Sequence, residues 1–311
     1  MRLGVCVFLS LIVAGCGART SRSLDLPQPP DAPSPLAATH AAPAAASLSE
    51  FIAKARALAA EARPTPRPSI AHIEATDPRL AAAILEAKVA PSPQTLRRVA
   101  EEYHRLRIDD RAHDYLRQAN LLEPRDAATY DALARLWRDG GLIELALADA
   151  HRAIYYAPAS AAAHNTLGTV FQALGQRQHA QHQYERALQL DPTAAYALNN
   201  LCYGWILDRQ PGKAVTACQT ALNLDPTLAA ARNNLGLAHA ARGDLDATRG
   251  AFEHVGDPAT ALYNLGIVYM ARRQYPDAVS AFVAAQQARP SFGLATVRAE
   301  QAGKLALAGA D

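Results

Sequence analysis

The chain has 311 residues, 50% of them apolar or aromatic, so it can bury more than one ordinary domain core and is not a disordered polymer. A formal charge of +2 is too balanced for the basic surface that nucleic acid demands. The ten histidines are scattered, and the closest pair, His179 and His182, shares a helix face with no third ligand near it, so no metal is expected.

The chain opens MRLGVCVFLSLIVAGCG: one basic residue, then an apolar run from Leu3 to Ala14. That run is shorter than the roughly 20 residues needed to span a bilayer core, which makes residues 1–15 a secretory signal segment. Val13-Ala14-Gly15-Cys16 resembles the lipobox of bacterial lipoproteins. The resemblance implies that Cys16 is diacylated and becomes the new N-terminus. An aspartate after it would resemble an inner-membrane retention signal; Gly17 stands there instead, which implies an outer-membrane lipid anchor with the protein on the periplasmic face. A plain signal peptide carrying an incidental cysteine is the alternative, and removal of residues 1–15 discards Cys6 in either case.

Residues 16–46 are rich in Pro, Ala and Ser and lack apolar periodicity, the composition of a tether. Thirty residues of polyproline-like chain would reach on the order of 90 Å. Residues 47–92 predict helices. Ser47 and Glu50 form a capping box for a helix to about Ala62, with Phe51, Ile52, Ala55 and Leu58 on one side. The stretch RPTPRP ends it. A second helix begins at Asp77, an N-cap followed by Pro78, and runs to about Ala90 before the stretch PSP.

From residue 93 the chain repeats. Pro124, Pro158, Pro192 and Pro226 recur every 34 residues, as do Ala112, Ala146, Ala180 and Ala214, and Ala119, Ala153, Ala187 and Ala221. Leu133, Leu167, Leu201 and Leu235 keep the same period, with Val99 in that slot earlier. Each period holds two blocks of helical spacing separated by turns such as LGQRQ, DRQPG and ARGDL, so each unit is a pair of antiparallel helices. Residues 161–194 carry Leu167, Gly168, Phe171, Gly175, Ala180, Tyr184, Ala187 and Pro192, and the last unit carries Leu265, Gly266, Tyr269, Ala278, Phe282, Ala285 and Pro290. This pattern resembles the tetratricopeptide repeat family.

The resemblance implies an all-α fold, a right-handed α-α solenoid of about six units over residues 93–292, preceded by N-terminal helices. The units fall at 93–126, 127–160, 161–194, 195–228, 229–258 and 259–292. The fifth is four residues short after Phe252, which predicts a second helix shortened by about one turn. Residues 293–311 then supply a capping helix and tail.

Cys202 occupies position 8 of the fourth unit, a slot that is small elsewhere, and Cys218 occupies position 24. Helix axes 8–10 Å apart, less two Cα radii of about 2.3 Å, bring facing Cα atoms to roughly 3.5–5.5 Å, which overlaps the span of a disulfide. The pair is expected to be bonded, closing a loop of about 17 residues worth about 3 kcal/mol. Two separate buried thiols acting as small hydrophobes are the alternative.

Asn200, Asn234 and Asn264 stand at position 6 of units four to six, and Asn165, Asn199 and Asn233 at position 5 of units three to five. In extended-peptide binders of this family, position-6 asparagines grip a ligand backbone, and the resemblance implies that role here. Tyr196, Tyr203 and Tyr263 would add contact area beside them. Bonding of the amides within their own repeats is the other reading.

Neither a Gly-rich phosphate loop, an H-E-x-x-H stretch nor a nucleophile elbow occurs, and acids such as Glu101 and Glu102, or Asp109 and Asp110, suit solvated faces and turns. Neither enzymatic activity nor a cofactor is expected. The expected function is a membrane-anchored scaffold that binds an extended segment of another envelope protein, held to the membrane through the lipid on Cys16. Envelope lipoproteins with such repeats include pilotins, Tad pilus factors and adaptors of peptidoglycan hydrolases. The alternative is a receptor for a small ligand or glycan, which would need aromatic rings converging on one pocket.

Overall fold

The computed structural model describes residues 69–254 and 256–308, and these form fifteen α-helices and no strand. The signal segment, Cys16, the tether and the helix expected from Ser47 to about Ala62 lie outside the described residues. The first described helix, α1 (Ile70–Thr76), was not legible behind three prolines. Ser69 caps it, its hydroxyl accepting from the His72 backbone N–H at 3.2 Å, and Glu74 accepts from the Tyr103 hydroxyl at 2.5 Å. Helix α2 (Pro78–Val89) starts where Asp77 and Pro78 place it, with the Asp77 carboxylate accepting from the N–H groups of Arg79 and Leu80 at 3.1 and 2.9 Å.

Six helix pairs follow. They are α3 (Pro93–Arg105) with α4 (Asp109–Leu122), α5 (Ala127–Asp139) with α6 (Ile143–Tyr156), and α7 (Ala161–Ala173) with α8 (Arg177–Leu190). After these come α9 (Ala195–Leu207) with α10 (Pro211–Leu224), α11 (Ala229–Arg242) with α12 (Leu245–Glu253), and α13 (Pro258–Ala271) with α14 (Tyr275–Ala288). Side chains of Ser92, Asp126, Ser160 and Asp257 cap the first helices of units one, two, three and six. The turn inside each pair needs one residue in the left-handed region: Gly141, Gly175 and Gly243 in three units, and Arg107, Arg209 and Arg273 in the others.

Packing inside a pair is decided at positions 8 and 24, where volumes trade off. Gly168 faces Tyr184, Gly236 faces Phe252 and Gly266 faces Phe282; a Cβ on any of these glycines would come within 2.6 Å of the ring. Units one and two fill the same slots with Ala100 and Leu116, and with Ala134 and Ala150, all buried. Unit four uses neither solution. Cys202 and Cys218, both fully buried, are joined by a disulfide with Cα atoms 5.3 Å apart. A thiol fits the small slot because the opposite side chain is also small and becomes bonded to it.

First helices touch the first helices of neighbouring units along the whole solenoid, whereas second helices pack mainly on their own partner and on the next first helix. The first helices therefore line the inner, tighter side. In unit five α12 has 9 residues against 14 in every other second helix, a loss of more than one turn. Its seam with α13 is correspondingly reduced. Helix α15 (Gly293–Ala308) lies over α14 and buries Ala295, Ala299 and Ala302.

Candidate functional site

The inner face is lined by positions 5, 6, 9 and 12 of the first helices, and its chemistry changes along the solenoid. In units one and two it is ionic and already paired. Arg97 meets Asp126 and lies 3.4 Å from the Thr129 hydroxyl; Arg135 lies 3.2 Å from Asp131 and 3.5 Å from Glu101. Arg138 Nη1 donates to Thr169 Oγ1 of unit three at 2.5 Å. His104 is held by two carboxylates, Nδ1 2.7 Å from Asp109 and Nε2 3.0 Å from Asp139. The bond to Asp139, reinforced by Asp109, raises the His104 pKa against the opposing effect of burial. Burial alone would push Asp139 up, but His104 and Arg138 together bring it below the usual carboxylate range.

From unit three onward amides replace the ions. Asn200 Nδ2 donates to Asn165 Oδ1 at 2.8 Å, Asn234 to Asn199 at 2.9 Å, and Asn264 to Asn233 at 3.1 Å. Each of these bonds joins position 6 of one unit to position 5 of the unit before it, so they tie neighbouring repeats together. Asn199 also donates to Asn200 at 3.4 Å. Asn199, Asn200 and Asn264 are buried, which leaves Asn165, Asn233 and Asn234 as the half-buried members facing the groove. A primary amide has two N–H groups and an oxygen with two lone pairs, so one inter-repeat bond does not use up its capacity.

The three tyrosines part company. Tyr196 is 37% exposed. Tyr203 is half-buried, and burial raises its phenol pKa. Tyr263 does not line the groove: it is 4% exposed, its ring 5.4 Å from that of Phe282 and 4.9 Å from that of Phe292. The last second helix and the loop before α15 bring those rings onto it, and burying a large ring outweighs leaving it in the groove. Positions 9 and 12 of units four to six hold Tyr203 together with Ile206, Leu237, Ala240, Ile267 and Met270, and of these only Tyr203 is expected in the groove from sequence. Leu237 is buried and the others are half-buried, so an apolar strip runs beside the amides with no charge at positions 5, 6, 9 or 12. Comparing each position down all six units would have found it. Cys202 and Cys218 are inside the fourth hairpin and take no part in the lining.

Among the described residues no three His, Cys, Asp or Glu side chains come together as a metal site, and no helix is long and apolar enough to cross a membrane.

Residues 161–194, the third helix pair, match the tetratricopeptide repeat family model. Among solved structures, a chain of the APC/C hetero-tetramer Cut9–Hcn1 superposes with a TM-score of 0.62 at 17% identity, over 83% of this chain and 54% of that one. This chain thus spans about half the length of that relative. PilW, described as a widely conserved type IV pilus biogenesis factor, gives 0.54 at 19% identity, over 63% of this chain and 92% of its own. PilF of Pseudomonas aeruginosa gives 0.52 at 16% identity, over 67% and 95%. At these identities the likeness is one of fold: the described chain is a tetratricopeptide-type solenoid. No curated protein sequence matches the chain.

Proposed function

We propose that this solenoid is a lipid-anchored interaction scaffold of the bacterial envelope, held at the outer membrane through Cys16. The inner face of units three to six would take an extended, uncharged segment of another envelope protein during assembly of a pilus, secretion or cell-wall complex. The observation that carries this reading is the uncharged inner strip of units four to six, where half-buried Tyr203, Ile206, Ala240, Ile267 and Met270 run beside the amides, with Asn165, Asn233 and Asn234 still half-buried. An extended peptide brings unpaired N–H and C=O groups at regular spacing, which amides can meet whatever the side chains, and apolar neighbours suit its uncharged residues. The ionic end is a poorer seat, because its charges are already paired with one another. A buried disulfide is in keeping with an oxidising compartment. The shared fold with PilW, a pilus biogenesis factor, fits the pilus branch of the proposal at the level of architecture. A pocket for a small ligand or glycan in the groove has less support, since Tyr263 turns inward to pack with Phe282 and Phe292 instead of joining Tyr196 and Tyr203.

Photo-crosslinking in living cells tests the reading. A benzophenone side chain placed at Tyr203 or Ile267 should capture one and the same envelope protein, whereas one at Arg186, on the exposed side of α8, should not. Adducts from Arg186 alone, or equally from both faces, would reject the groove. In the same cells Cys16→Ser should move the chain from the membrane to the soluble fraction; continued sedimentation with membranes would reject the anchor.

A further inference from the structure

At the N-terminal end, α2, α3 and α4 frame an open groove lined by Ile84, Ala87, Leu96, Tyr115, Leu121 and Leu122. Its surroundings carry unusually exposed apolar side chains: Leu85 is 63% exposed, Val89 78%, Leu121 74% and Leu122 57%. Leu85 and Val89 are four residues apart on α2 and so form one stripe. The other end of the solenoid is covered by the 16-residue α15, whereas here α2 has only the 7-residue α1 beside it, and α1 buries no residue of its own. Stacked repeats expose at each end the surface that a further unit would bury, and such ends need cover.

We propose that residues 51–62 of this same chain occupy the groove, laying Phe51, Ile52, Ala55, Leu58 and Ala59 against it. Those five positions follow the 1, 2, 5, 8, 9 spacing of a single helical stripe, so the segment has an apolar edge that needs burial as much as the groove does. The reach is sufficient. Seven residues, 63–69, separate Ala62 from the start of α1, and with Pro64, Pro66 and Pro68 among them they span about 22 Å at polyproline rise. Twelve residues of α2 cover about 18 Å, a length comparable with that link. Lys88 borders the groove, and residues 50–62 carry Glu50 and Glu61 against Lys54 and Arg56, a balanced set that leaves the apolar edge as the feature that docks. A link this short holds the segment at an effective concentration on the order of millimolar, enough to populate a contact that would be weak between separate molecules. Residues 51–62 would then form the N-terminal cap, and the tether would leave the solenoid from the α2 end.

Hydrogen exchange read by mass spectrometry on the full chain in mild detergent tests this. In the wild-type chain, residues 51–62 should exchange at least about tenfold more slowly than an unstructured peptide, and Leu58→Asp should abolish that protection. The same substitution, which lies outside the solenoid, should speed exchange in α2 and at the end of α4 while leaving units three to six unchanged. Leu121→Asp, at an exposed residue of the groove lining, should unmask residues 51–62 from the groove side, which separates lost docking from misfolding of the segment itself. Unprotected residues 51–62 in the wild-type chain would overturn the proposal, as would an α2 indifferent to Leu58→Asp. Protection that disappears on dilution, together with a dimeric mass, would assign the groove to a second copy instead.

Discussion

One methyl group at position 8 decides whether two helices can meet. At Gly236 an added Cβ would stand 2.4 Å from the Phe252 ring, which is fully buried and has nowhere to retreat. Gly236→Ala should therefore cost about 1–3 kcal/mol by overpacking, measurable by urea unfolding, whereas Gly204→Ala, with nothing within 4 Å of its Cβ, should not lower stability. His104 acts at the same scale but through charge. Its folded pKa is raised, chiefly by the bond to Asp139, so the stabilisation it gives is complete below its unfolded value of about 6.5 and fades as pH rises through the folded value. Raising the pH should thus loosen the link between units one and two. Thermal unfolding over a pH series should show this loss in the wild-type chain and a flatter profile in His104→Gln. An identical profile in both would mean that the histidine carries no part of the dependence.

Among the hairpins, unit four exchanges a contact for a bond. The Cys202–Cys218 bridge spans 16 positions of sequence, and a loop of that size is worth about 3 kcal/mol in the chain-entropy view. Replacing both cysteines by serine should remove stability of that order, and reductant should then have no further effect on urea unfolding. Cys202→Gly with Cys218→Phe should recover part of the loss, because it restores the glycine and ring found in units five and six. Most of this element is legible from sequence: the 34-residue period assigns both cysteines to facing slots before any coordinate is known. Helix α1 is not legible: its cap at Ser69 is local, but its anchor through Glu74 to Tyr103 depends on a helix 29 residues further on.

Across the whole molecule, the solenoid is held by contacts between neighbours, so its weakest seam sets where it opens. That seam is at unit five, where α12 is 9 residues long and meets α13 over a reduced surface. Native-state hydrogen exchange should find α12 opening at lower free energy than α8 or α10, with units three and four still protected. Uniform protection through α8, α10 and α12 would show that the shortened helix is compensated. The helix pairs, the short fifth unit and the residues at each small slot follow from the sequence alone. They are set by a side-chain period that every unit repeats, and burial of an amphipathic face is a local demand. Which partner each inner side chain meets was decided only by stacking. The amides bond across 31 or 35 residues, His104 bridges to a carboxylate 35 residues away, and Tyr263 sinks beneath Phe282 and Phe292. Those outcomes depend on how one hairpin is set against the next, a distance and angle that a repeat written in one dimension does not contain.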